Sequence, residues 1–543
     1  MPTSRLVRSI LLVLALVIGF SFRAASLDTY GFSEDETAKL RAVEAYGHGR
    51  FSANAEHPML MKLAIWGAAG MAGRLDQAGI HVPPEVVLRA PNVIAGTFSI
   101  AVIGAAVGAL FSGWVGVTTA VLVAFDPNVI AINRIGKEDT FLLLFFYLAV
   151  WCYERAKHAG LTDLARAKRW YTAAGAAFGL MLASKYLPHL LGLYALFNVV
   201  HLRDAGPNSP DKRKYYAAMM VAFIVTNFAI LLPSTWVYCL DYLRGHQLTH
   251  HGFQYDGHLY VTDVPISLSG VPMTYYLDMI VTKVPLLVLC AAAIGLVPLV
   301  RKRRERGYTW LGVFLLFQAI GYSVAAAKFQ RYGLPLLILV DVLAAVGLVS
   351  MIEWLAERRR EMDVANALGA RVAAAGLYAA VILAPLVAAS SIRPFYSLHQ
   401  NVIGARLAPP AAVFPEEAYD YGVREAVAEI ARDAGPDAAV ITDAPGVVTH
   451  YLMRDSRPDL RVMNLSQAGV THRGEQWVLV QAEHRSFENV ASVASLRALP
   501  VWREYRVGGA VSVQLYHLMG QNVLARRGTT SPDARLAPPM GSS

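Results

Sequence analysis

The chain alternates long apolar runs with short polar stretches as far as position 391, and then the pattern stops. Eleven runs come near the roughly 20 residues a helix needs to cross a bilayer. They are 6–25, 86–110, 113–132, 139–156, 170–185, 187–202, 215–235, 274–300, 309–327, 332–352 and 369–391. The pair 170–185 and 187–202 is short and split around Lys185 and Pro188. Between the first two runs, residues 35–46 read as a short helix ended by Gly47 and Gly49. Residues 57–80 are apolar, open near Pro58 and carry Lys62, Arg74 and Asp76, which predicts a helix lying along the interface. Beyond Arg393 charges disperse and apolar runs shorten. There 438–444 and 477–483 read as strands, 425–434 and 489–498 as helices, and 502–517 as a strand or hairpin around Gly508 and Gly509.

The expected fold class is a polytopic α-helical membrane protein of about eleven transmembrane helices with a small C-terminal soluble α/β domain on the outer face. Its parts are a transmembrane module over 1–392, with outer loops at 26–85 and 236–273, the α/β domain over 393–520, and a disordered tail over 521–543. Composition agrees: of 543 residues 55% are hydrophobic and 16% charged, with a mean hydropathy of +0.39. The net charge of +9 comes largely from Lys/Arg clusters between apolar runs. Such clusters set topology, and they contact anionic lipid. Lys157, Arg166, Lys168 and Arg169, then Arg203 and Lys212 to Lys214, then Arg301 to Arg306, then Arg358 to Arg360 fall on one side, which puts the N-terminus in the cytoplasm and the C-terminal domain outside. No nucleic-acid-binding pattern is present. Cys152, Cys239 and Cys290 have neither metal nor disulfide spacing.

Candidate chemistry gathers at the outer ends of the runs. Glu34, Asp35 and Glu36 follow Ser33 directly after the first run. Ionisable groups at a membrane edge are costly and mark function; equally, Ser33 and Glu36 fit a capping box with acids in the first helical turn. Arg134, Lys137, Glu138 and Asp139 share one very short outer turn. Lys185, Lys283, Lys328 and Arg331 add cations, suited to a phosphate leaving group or to snorkelling at helix ends. The second outer loop carries His246, His250, His251, His258, Asp256 and Tyr255, readable as a weak metal set or as substrate-facing and solvated groups.

These segments resemble the GT-C class membrane glycosyltransferases, in particular the family 39 dolichyl-phosphate-mannose protein mannosyltransferases and their aminoarabinose transferase relatives. Glu34-Asp35-Glu36 resembles the acidic motif of the first outer loop, 56–60 its HPPL-type segment with Met59 in place of the second proline, and 133–145 its Arg-then-Asp segment. Residues 184–186, 270–286, 328–336 and 393–401 are similar to later segments, in order. The resemblance implies transfer of a sugar from a polyprenyl-phosphate donor to a hydroxyl acceptor, with Asp35 as base and Glu36 beside it. It implies Glu138 or Asp139 as the second-loop acid and Arg134, Lys185, Lys283, Lys328 and Arg331 as candidates for the donor phosphate. His57, His250, His251, Tyr255 and Tyr332 are candidate substrate contacts. No cofactor is required, and a divalent metal is compatible with the chemistry. The implied partners are the polyprenyl-phosphate sugar, the lipid bilayer and an acceptor hydroxyl of unknown identity; the implied place is the plasma membrane, the inner membrane of a bacterium. The loop 236–273 is too short for the large inserted domain of the eukaryotic mannosyltransferases. A transporter or lipid flippase, or an inactive scaffold of the same fold, is the competing reading.

Overall fold

The computed structural model describes residues 5–200, 212–244, 252–260, 270–358, 364–467, 474–482 and 484–519. His246, His250, His251 and the tail lie outside them. The helical part runs through α1 (Arg5–Ala24), α2 (Glu34–Gly47), α3 (Leu60–Gln77), α4 (Pro84–Leu110), α5 (Gly113–Phe125), α6 (Pro127–Asn133), α7 (Asp139–Ala159), α8 (Leu164–Ser184), α9 (His189–Val200), α10 (Lys212–Thr226) and α11 (Pro233–Arg244). A hairpin of β1 (Phe253–Tyr255) and β2 (His258–Tyr260) follows. Then come α12 (Tyr275–Lys283), α13 (Leu286–Arg301), α14 (Arg306–Val324), α15 (Leu334–Arg358) and α16 (Val364–Ile392).

All eleven apolar runs are helical over most of their described residues. Five helices are long and apolar enough to cross a membrane alone, and the bent α5–α6 pair makes a sixth, among the described residues. The remaining runs are shorter or carry charge: α7 ends on Glu154, Arg155, Lys157 and His158, and α8 opens on Arg166, Lys168 and Arg169.

Proline breaks two runs, and buried side chains satisfy the backbone it leaves behind. The α5 and α6 axes meet at 67°. Pro127 has no N–H, so the Val123 carbonyl loses its helical donor. Arg23, fully buried, donates instead to Val123 O (3.1 Å) and Ala124 O (2.9 Å). Asp126 caps α6, its Oδ1 accepting from the Asn128 N–H at 2.7 Å. Pro285 divides α12 from α13 in the same way, and Asn401 Nδ2 donates to Val281 O and Val284 O, each at 2.7 Å. Elsewhere small residues bring helices together. A Cβ on Gly347 of α15 would sit 2.0 Å from Ala291 O of α13, so the two backbones touch.

After α16 the chain makes a turn at Tyr396–Leu398 and α17 (Val402–Leu407), which pack on α6 and α12. The sheet unit then comprises α18 (Val423–Asp433), β3 (Ala439–Thr442), α19 (Pro445–Arg454), β4 (Arg461–Asn464), β5 (Glu475–Gln481), α20 (Val490–Leu496), β6 (Arg503–Val507) and β7 (Ala510–Met519). Strand order is β4-β3-β5-β7-β6, with β4, β3 and β5 parallel and β7 and β6 antiparallel. The change of composition at Arg393 thus precedes the change of packing: residues 396–421 lie against the helices and the α/β unit starts at α18.

One face of the sheet packs a cluster of its own, with Ile441, Val478, Leu496 and Tyr516, and the other face shares its core with the helices. Val440, Trp477, Leu515 and Val448 share one apolar cluster with Phe32, Val43, Met61 and Leu88 of the helical part. Arg424 donates to Asp28 O and Thr29 O at 2.8 and 2.9 Å, and the Tyr451 hydroxyl accepts the Phe32 N–H at 2.5 Å. The α/β unit therefore holds the segment that leads into α2.

Candidate active site at the start of α2

Asp35 and Glu36 are neighbours with opposite surroundings. Glu36 is completely buried and grips Arg89 in a two-pronged pair, 2.8 Å to Nε and 2.7 Å to Nη2. It also accepts the Ser33 N–H (2.9 Å) and the Gly136 N–H (3.0 Å). Burial alone would raise its pKa, but the Arg89 guanidinium overrides this and holds it below the ordinary carboxylate range. The Ser33 contact is the Glu36 half of the expected capping box. Every acceptor position of Glu36 is committed, so it ties the start of α2 to α4 and to the turn before α7.

Asp35 points the other way, and its side chain is 42% exposed. Its Oδ2 contacts Lys137 Nζ and lies 3.9 Å from Arg331. Lys137 is buried; burial first, then the like charge of Arg331, push its pKa well below the ordinary lysine value. Arg331 also pairs with Glu416 at 3.5 Å and stacks over the Phe329 and Tyr332 rings. Next to it, Lys185 pairs with Asp139 at 2.8 Å and sits 4.7 Å from the centre of the Tyr332 ring. Glu138 turns away to Lys39 (2.6 Å) and His57 (3.7 Å). Its own burial is outweighed by these partners, and its pKa falls well below the ordinary value.

The structure therefore brings together Asp35, Asp139, Lys185, Arg331 and Tyr332, and places Glu138 and His57 on the far side of the same turn. It places other candidates elsewhere. Arg134 is fully buried and donates to the carbonyls of Phe22, Arg23, Ala25 and Ser26 at 2.7 to 3.0 Å, closing the C-terminal end of α1. Lys283 is buried against Glu417 at 2.7 Å. Lys328 donates to Tyr322 O and Ser323 O at 2.5 and 2.6 Å, at the end of α14, where burial lowers its pKa to about 8. Tyr255 bonds Asp278, and its ring packs at a tilt against Tyr275 and Phe414.

Three contributors were not among the candidates: Lys39, Glu416 and Tyr419. Lys137 shares its turn with Glu138 and Asp139, so its position was readable; its partner was not. Glu416 and Tyr419 come from a segment far along the chain, and no local pattern links them to Arg331. Tyr419 and Asp420 both adopt left-handed φ, 43° and 59°, at a cost of about 1–3 kcal/mol each. That turn aims Asp420 at α2, where its Oδ2 accepts the Glu34 N–H at 2.9 Å. The buried Tyr419 hydroxyl has no hydrogen-bond partner among the described residues. It lines, with Arg331 and Glu416, a narrow cavity of about 30 Å³ whose other walls are mixed: Ile132, Ile135, Met279 and Leu337 beside Asn128, Gln330, Ser397 and Tyr421. Among the described residues no three His, Cys, Asp or Glu side chains are grouped to hold a metal ion.

Residues 58–230, about a third of the chain, match the family model described as dolichyl-phosphate-mannose-protein mannosyltransferase. Among solved structures, ArnT from Cupriavidus metallidurans in the apo state superposes with a TM-score of 0.50 at 16% identity, over 93% of this chain and 97% of that one. The oligosaccharyltransferase of Archaeoglobus fulgidus with a tethered acceptor peptide gives a TM-score of 0.54 at 12% identity, over 84% of this chain and 64% of that one. The same organism's AglB, solved with an inhibitory peptide and a dolichol-phosphate, gives 0.51 at 12% identity, over 87% and 69%. No curated protein matches the chain. The resemblance to the GT-C glycosyltransferases is borne out, and the helical architecture is theirs.

Proposed function

We propose that this chain, with its GT-C fold, transfers a sugar from a polyprenyl-phosphate donor to an acceptor hydroxyl at the outer membrane face, inverting the anomeric centre. One observation carries the reading: a half-exposed carboxylate, Asp35, held between two cations, Lys137 and Arg331, at the end of a helical bundle. The family match over residues 58–230 and a fold shared with a protein solved with dolichol-phosphate support a polyprenyl-phosphate donor.

In this reading the acceptor oxygen attacks the anomeric carbon in line. Its C–O bond forms as the bond from the anomeric carbon to the phosphate oxygen breaks, and the electron pair leaves on the phosphate. Asp35 takes the hydroxyl proton. Lys137 and Arg331 stabilise the charge on the departing phosphate, with Lys185 behind Tyr332. In the structure Asp35 itself fills the anion position between the two cations. A donor phosphate competes for them and frees the carboxylate as a base, so donor binding precedes acceptor activation. The cavity beyond Arg331, with Ile132, Ile135, Met279 and Leu337 in its wall, widens to take the first isoprene unit. All eleven helical runs cross the membrane, with the N-terminus in the cytoplasm, and the reaction needs no metal.

The test is sugar release from radiolabelled polyprenyl-phosphate sugars by protein in lipid nanodiscs, wild type beside Asp35→Asn. Turnover of one donor by wild type, with binding but no turnover by Asp35→Asn, supports the transferase reading. Binding of no donor by either protein sinks it and favours a transporter or scaffold.

A further inference from the structure

A second cavity, of about 310 Å³, opens on the other side of the segment that carries Glu416. Its walls come from β1, the loop at 411–415, the end of β5, β7 and the region after α20. Both charged residues among its lining side chains are arginines, Arg485 and Arg497. Arg497 is exposed. Arg485 donates to Gln481 O at 2.6 Å, and its nearest carboxylate among the described residues, Asp443, is 3.9 Å away with a buried side chain. Each arginine lies in the repulsive field of the other. Gln254, Ser512 and Gln514 add polar groups, and the Gln254 side-chain oxygen is buried with no partner among the described residues. Val480, Val511 and Pro415 make apolar walls.

Two one-residue steps tie this cavity to Asp35. Pro415 lines it, and Glu416 beside it pairs with Arg331. Val480 and Ala482 line it, and Gln481 between them bonds Asp420, which accepts the N–H of Glu34. We infer that this cavity binds an acidic saccharide, the acceptor or a part of it, with its anionic group between Arg485 and Arg497 and its hydroxyls on Gln254, Ser512 and Gln514. Like-charged guanidiniums sharing one wall favour an anion. The unpartnered Gln254 oxygen, with the Ser512 hydroxyl bonded to Tyr421 O and the Gln514 amide bonded to Glu504, sets polar groups beside apolar side chains, which suits the mixed polar and C–H faces of a sugar. The inference rests on the transferase reading for its purpose and on the cavity alone for its chemistry.

The experiment measures binding to the full-length protein in phosphatidylcholine nanodiscs, without any donor. The probes are a trisaccharide of uronic acids, a neutral trisaccharide and hexaglutamate. The acidic trisaccharide is expected to bind at least tenfold more tightly than either other probe. Arg497→Gln, an exposed change that leaves folding intact, is expected to weaken it about fivefold to tenfold, and Arg485→Gln with Arg497→Gln to abolish the preference. Equal binding of acidic and neutral trisaccharides overturns the inference, as does an unaffected Arg497→Gln. Equal binding of hexaglutamate overturns it in favour of an acidic peptide. Loss of probe binding in phosphatidylglycerol nanodiscs overturns it in favour of lipid headgroups. Acidic-sugar binding without any donor binding would sink the transferase reading and leave this site standing; the converse would do the reverse.

Discussion

Asp35 and Glu36 differ by one methylene and one position, yet the molecule treats them as different kinds of group. The buried face of α2 gives Glu36 a guanidinium and two backbone N–H groups, so nothing further can bind there. The exposed face gives Asp35 two cations that are themselves incompletely neutralised: Lys137 has a lowered pKa, and Arg331 is shared with Glu416. The lesson is that acidity at a membrane edge does not distinguish fixing a helix from doing chemistry. What distinguishes them is whether the partners could exchange the carboxylate for another anion.

The sharpest way to break this contrast is to neutralise each carboxylate. Asp35→Asn is expected to lower sugar transfer by about 10²- to 10⁴-fold, the range for a lost general base. The thermal midpoint in nanodiscs should move less than for Glu36, since Asp35 is 42% exposed and buried Lys137, its pKa already lowered, can shed its proton. Glu36→Ala is expected to do the opposite first: it strands a fully buried Arg89 and costs about 3–5 kcal/mol of stability. If Glu36→Ala left the thermal midpoint unchanged, or Asp35→Asn lowered it as much, the two roles would have to be exchanged.

The sequence pattern made one half of this contrast readable and hid the other. Apolar periodicity located all eleven helical runs, and the strand and helix readings after 393 match β3, β5, α18, α20 and the β6–β7 hairpin to within a few residues. Alternation and run length are local, so they survive without knowledge of contacts. α19 and β4 went unread because their segment has turn-like residues on both flanks, including Pro445 and Pro458. The cations were harder. Arg134, Lys283 and Lys328 look the same as Lys185 and Arg331 in sequence, each being a cation in or at the end of an apolar run. They divide only by what lies opposite: backbone carbonyls for Arg134 and Lys328, Glu417 for Lys283, and the Asp35–Asp139 face for the other two. Except for the local carbonyls that Lys328 meets, those partners are contributed by distant segments, among them the one at 416–420.

A smaller effect separates the cations themselves. Lys137→Gln or Arg331→Gln is expected to weaken donor binding by about tenfold to a hundredfold, the loss of one charge-assisted contact of about 1.5–3 kcal/mol. Lys328→Gln, at the end of α14, should change donor affinity less than threefold. Titrating donor into each variant in nanodiscs checks this. Equal losses for Lys328→Gln and Arg331→Gln would mean that the cation layer acts through its summed field and not through contacts around Asp35.

The smallest expected effect is a pair of opposed pH dependences, one on each side of α2. His57 is depressed to about 4 by burial, against the pull of Glu138. Between pH 6.5 and 4 the unfolded chain takes up the proton and the folded one does not, so this group makes the fold less stable as pH falls through that window. Asp443, in the α/β unit, is raised to about 6 by burial. Between about pH 4 and pH 6 the folded chain holds the proton and the unfolded one does not, so this group makes the fold less stable as pH rises. Over the shared window the two slopes oppose each other and partly cancel in the wild type. His57→Gln should therefore expose a thermal midpoint that falls as pH rises from 4 to 6, and Asp443→Asn one that rises over the same range. Because Phe32 and Val43 share a core with Val440 and Trp477, both changes should appear in one cooperative transition. Two separate transitions, each carrying one slope, would show that the α/β unit unfolds independently of α2. It would then not be what holds Asp35 in place.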